Sequence, residues 1–179
     1  QVVTGRELSV STGAGDDLVT IGTALTNSST TSAGDVINAG TGTDTLSMTT
    51  AIANGHATTT DVSGFEAITI SDHLDHTLEV ADFGTGISTV NLTLGTAGTD
   101  GAAITYNAGA SVLNFADVVD GIITVTDTGT ATTDSITFNI TDADDVDVYS
   151  GENFTITGFE TSTINTTNST TTANTTTAQ

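Results

Sequence analysis

The chain has 179 residues, with 22 acidic side chains against a single basic one, Arg6, and a formal net charge of −21. With a screening length of about 8 Å in physiological salt, such a surface repels itself and nucleic acid, so DNA and RNA are not expected as partners and cations are. There is no cysteine and no proline, so no disulfide framework holds the fold, and no apolar run approaches the roughly 18 residues of a membrane span. Threonine fills 43 positions and aromatic residues only 4%, a mixture that favours many short strands over a compact helical domain. The chain starts at Gln1 without a basic segment leading into an apolar one, and reads as a processed or excised piece of something larger.

Residues 1–50 run on a nine-residue period. Asp17, Asp35 and Asp44 are spaced by 18 and 9 residues, and each is followed two positions later by an aliphatic residue, Val19, Ile37 or Leu46. In that register, residues 13–19 (GAGDDLV) and 40–46 (GTGTDTL) share the form G-x-G-x-D-x-U, with U a large aliphatic side chain. This is the nonapeptide of calcium-binding parallel β-rolls. Glycines at 13, 15, 40 and 42 allow the positive-φ turn, the aspartate offers a hard oxygen to a divalent cation, and U points inward. With two nonapeptides per coil, Asp17 and Asp35 are expected on one edge, one coil apart, and Asp44 on the opposite edge. The register lapses at Thr26, where an aspartate is due, and the glycines are missing through residue 32. The plainer alternative is that Gly-Asp turns are common in any acidic β-protein.

Residues 51–164 keep the strand signal without the period. Apolar residues alternate with Thr, Ser, Asn or Asp at Ile68 and Ile70, at Val90, Leu92 and Leu94, at Ile104 and Tyr106, at Ile123 and Val125, and at Ile136, Phe138 and Ile140. Such period-two alternation predicts strands with one buried and one wet face, and Leu78 to Phe83 is the one candidate for a short helical turn. The phrase Gly-Phe-Glu occurs at Gly64–Glu66 and again at Gly158–Glu160, 94 residues later. The glycine is expected to turn the chain and the phenylalanine to plug the coil, with the glutamate facing solvent or a cation. Asp142, Asp144 and Asp147 form a second candidate calcium cluster, weighed against a solvated acidic turn; it lacks the glycine and distal glutamate of an EF-hand. Asp72, His73, Asp75 and His76, with His56 elsewhere, carry zinc-type or copper-type donors, although without a thiol a polar loop is the better account of them.

Residues 165–179 are rich in threonine and asparagine. Composition alone describes a linker, while the β propensity of threonine predicts a terminal strand that pairs with an adjacent domain or subunit. Asn27, Asn91, Asn139, Asn153, Asn165, Asn168 and Asn174 stand in N-x-S/T sequons that are open to glycosylation in a secreted protein.

These segments predict an all-β chain, a parallel β-helix or β-roll solenoid, with a β-sandwich after a short β-roll as the alternative. The degenerate G-x-G-x-D units, the Gly-Phe-Glu phrases and stretches such as residues 87–94 together resemble the RTX-type surface-layer proteins of Gram-negative bacteria. Only residues 13–46 carry a specific motif; the rest of the chain matches in style. The resemblance implies calcium-stabilised parallel β-helical domains, exported by type I secretion, that tile into a lattice over the cell. It places the ligand role on Asp17, Asp35 and Asp44, with carbonyls near Gly13, Gly15, Gly40 and Gly42. The expected function is a calcium-stabilised structural subunit outside the cell, with other copies and cell-surface polysaccharide as partners; a repeat module of a secreted adhesin is the second reading. Catalysis is not expected: cysteine, lysine and a G-x-S-x-G elbow are absent, and Arg6 alone could meet a sugar acid.

Overall fold

The computed structural model describes residues 8–25, 34–56, 61–96, 102–107, 109–116, 123–142 and 154–168. Strands form where the sequence alternates. In chain order they are β1 (Ser9–Ser11), β2 (Leu18–Thr20), β3 (Val36–Asn38), β4 (Thr45–Met48), β5 (Val62–Ser63), β6 (Ala67–Ile70) and β7 (Thr77–Glu79). They continue as β8 (Thr89–Leu92), β9 (Ala102–Tyr106), β10 (Ala110–Phe115), β11 (Ile123–Asp127), β12 (Ser135–Asp142), β13 (Phe154–Thr157) and β14 (Thr161–Asn168). One short helix, α1 (Thr50–Asn54), follows β4 and ends at Gly55. The expected helical turn is a 3-10 turn at Val80–Phe83.

Every pairing between these strands is parallel. The even-numbered strands make one seven-stranded sheet in the order β14-β12-β10-β8-β6-β4-β2, and the odd-numbered strands make sheets ordered β1-β3-β5 and β13-β11-β9-β7. A chain that visits the two sets of sheets alternately and pairs in parallel throughout is a β-solenoid. The sandwich alternative does not hold. The long sheet also runs without a break through residue 50, since β4 pairs with β6, and through residue 164, since β14 pairs with β12 up to Asn168.

Parallel register turns the alternation into inward ladders. Leu46, Ile68, Val90, Leu113 and Phe138 are successive partners along the long sheet, and each has 0% exposure. Met48, Ile70, Leu92, Phe115 and Ile140 form a second ladder. Leu78, Ile104 and Val125 line the facing sheet. The outward face carries a polar ladder in which Asn165, Asn139 and Asn114 each donate to the asparagine one coil back, and Asn91 to Thr69. Three of the seven sequon asparagines therefore have their amide nitrogen engaged.

Coil length departs from the nine-residue expectation. Leu18 pairs with Thr45, 27 residues on, so the first coil spans three nonapeptides where two were expected. The sequence carries no G-x-G-x-D unit between residues 20 and 39, and the described part of that stretch adds inward side chains rather than a stacked glycine corner. Ile21 and Leu25 are buried in the core. Asp17 and Asp44 consequently stack on the same corner, while Asp35, ahead of β3, occupies a different one.

Candidate metal centre

The corner that leads into the long sheet is built by glycine. In the first two coils, residues 12–17 and 39–44 bridge odd and even strands, with Gly13, Gly15, Gly40 and Gly42 at φ of +104°, +116°, +100° and +149°. The two turns stack so closely that a Cβ on Gly40 would stand 1.8 Å from the Gly13 carbonyl oxygen, and one on Gly42 2.2 Å from that of Gly15. Thr41 locks them together: its N–H donates to the Gly13 carbonyl, and its own carbonyl accepts from Gly15 N–H, both at 2.9 Å. The Gly13 carbonyl, expected to face a cation, thus already has one partner. In the third coil the corner shortens to Gly64-Phe65-Glu66, with Gly64 at φ +76° and Phe65 buried at 1% exposure.

At this corner the acidic residues form a ladder. Asp44 Oδ1 accepts the Asp17 N–H at 2.7 Å, and Glu66 Oε2 accepts the Asp44 N–H at 2.8 Å. Beside it, Asp16 Oδ1 accepts the Thr43 N–H at 2.8 Å. Each carboxylate thereby satisfies a backbone donor where the sheet has not yet begun. Asp35 does the same on its own corner for Leu8 N–H, at 2.7 Å. Asp44 engages only Oδ1 in this way; Asp17 Oδ2 and Asp44 Oδ2 are buried without a partner, and Asp44 is fully buried. An unpartnered carboxylate oxygen out of water is costly, and hard anionic oxygen is the donor that calcium prefers. The corner can therefore contribute carboxylate and carbonyl oxygens to a cation. No three His, Cys, Asp or Glu side chains converge as ready-made metal ligands among the described residues.

The other candidates separate. Asp72 Oδ1 accepts Thr50 N–H at 2.7 Å, the same capping role one corner away. Asp75 and His76 pair at 2.6 Å on the surface, which draws the Asp75 carboxyl below its ordinary value. His56 is buried and stacked on Phe83, ring centroids 4.5 Å apart, not gathered with the other histidines into a zinc-type set. Asp142 ends β12 opposite Asn168; Asp144 and Asp147 lie outside the described residues.

From sequence, the glutamates of the Gly-Phe-Glu phrases are expected to face solvent or a cation; the structure gives them a different role. Glu66 and Glu160 cap Asp44 and Asp134 respectively, the latter at 2.7 Å. The signal was present: each phrase ends on an acid immediately before a long-sheet strand, where Asp17 and Asp44 also stand. Among known protein families, curated proteins and solved structures, nothing matches the chain.

Proposed function

We propose that the chain is a structural unit of an extracellular layer or filament that assembles from copies of itself and is stabilised by calcium at its acidic corners. The observation that carries this reading is the terminal strand. β14 is eight residues long, ends the long sheet, and has no strand on its other edge among the described residues. Its side chains from Thr161 to Ile164 and on to Thr167 are exposed. Ile164, in register with the fully buried Phe138, is 39% exposed because no further described coil covers it. A long edge of unpaired backbone over an uncovered apolar position is a template for strand addition. At −21, copies repel one another, and divalent cations that bridge or neutralise carboxylates remove that barrier.

Light scattering tests it. Assembly is expected at millimolar calcium, reversed by a chelator, and weakened by Ile164→Lys, which sets a charge on the open end while leaving the interior coils intact. A chain that stays monomeric at high concentration with calcium contradicts the proposal and returns the reading to a monomeric adhesin module.

A further inference from the structure

The far end of the solenoid holds an acidic pair outside the nine-residue period. Asp127 ends β11 and Asp134 precedes β12, so they close the two sides of the corner 128–133. They are buried, at 7% and 2% exposure. Asp127 Oδ1 accepts Gly129 N–H at 2.9 Å, but its Oδ2 and both oxygens of Asp134 are buried without a partner. Glycine keeps the space beside these oxygens free of side chain. A Cβ on Gly129 would lie 3.1 and 3.2 Å from the two Asp127 oxygens and 3.5 Å from Asn107 Oδ1, and one on Gly109 would lie 3.4 Å from Asp134 Oδ1. Burial first, then contact with Asp127 and the charges of Asp127 and Glu160, push the Asp134 carboxyl above its ordinary value. Two ionised carboxylates can only accept, so they face each other favourably around a shared proton or around a cation.

We propose that Asp127 and Asp134, together with the side-chain oxygen of Asn107, bind a hard divalent cation of calcium's size in the last coils of the solenoid. All the donors are oxygens, with no nitrogen or sulfur to select a softer metal. Two carboxylates and one amide oxygen leave a shell that water must complete, which calcium's flexible coordination tolerates better than the strict octahedron of magnesium. The charge count places the affinity in the extracellular range of about 10⁻⁴ to 10⁻³ M. The site stands apart from the Asp17 and Asp44 corner, which lies at the other end of the long sheet, and does not depend on it.

Tyr106 is the register partner of Asp127 and supplies a local reporter. In a Tyr149→Phe background, which leaves Tyr106 as the one tyrosine, terbium is expected to show tyrosine-sensitised emission that calcium competes away. Asp134→Asn and Asp127→Asn should each lose that emission and weaken calcium binding by about tenfold or more, while Asp44→Asn retains the emission. Two isosteric variants guard against one that fails to fold. Absence of sensitised emission, or emission kept in both the Asp134 and Asp127 variants, overturns the proposal. So does an Asp134→Asn protein that melts higher than a wild type indifferent to calcium, because the pair is then held by a proton.

Discussion

Gly40 and Gly22 make a direct comparison of what a single side chain can do. Gly40 combines φ +100° with a site where a Cβ would overlap the Gly13 carbonyl at 1.8 Å, whereas Gly22 has nothing within 4 Å. Gly40→Ala is expected to cost about 2–5 kcal/mol from strain and displaced backbone, and Gly22→Ala within about 0.5 kcal/mol of neutral; urea unfolding measures both. His56 belongs to the same scale. Burial holds its imidazole below the ordinary histidine range, against the opposing charges of Asp82 and Asp61. The unfolded chain therefore takes up the proton first as pH falls through about 6.5, so this residue's contribution is full above that pH and is lost below it. Comparing wild type with His56→Phe in melts from pH 8 to 5 isolates the effect: the variant should lose less stability on acidification, and equal losses would contradict the assignment.

Among the elements, the inward ladders carry the stability and were the most legible part of the sequence. Ile68 and Ile70, Val90 and Leu92, and Ile136, Phe138 and Ile140 alternate so regularly that their burial follows from period two alone. Leu113 has neighbours above and below, Val90 and Phe138, and 0% exposure. Leu113→Ala should cost about 2–5 kcal/mol, since stacked coils leave little room to collapse around the cavity; calorimetry reads the loss. Which residues stack was not legible. The aspartate spacing suggested 18-residue coils, but a nine-residue period does not say how many units make one coil, and Leu18 pairs with Thr45, 27 residues on. Hence Asp44, not Asp35, lies over Asp17. The capping role of Glu66 was hidden for a related reason: the three-residue corner Gly64–Glu66 replaces a six-residue one, and the longer glutamate side chain reaches the backbone donor that aspartate reaches from a longer turn. The helix α1 escaped notice because its five residues are too few to show a period.

For the whole molecule, the central tension is between a fold that stacks like on like and a charge of −21. Strands in a sheet lie about 4.8 Å apart, less than the screening length of about 8 Å, so carboxylates repeated at one corner repel across successive coils. Backbone caps satisfy one oxygen of Asp44 and leave the other buried and unpartnered. Calcium held there at 100 times its dissociation constant would add about 2.7 kcal/mol per independent site. A calorimetric melt in millimolar calcium should move upward, and Asp44→Asn should lose part of the gain; an unchanged melt would remove calcium from this corner. The proposed assembly would use the edge of β14 and the apolar position at Ile164, both uncovered among the described residues. Electron microscopy of the purified chain, first in millimolar calcium and then after chelation, tests that claim most directly. Ordered sheets or filaments that disperse when calcium is withdrawn are the predicted result, and dispersed monomers in calcium, or assemblies indifferent to the chelator, would contradict it.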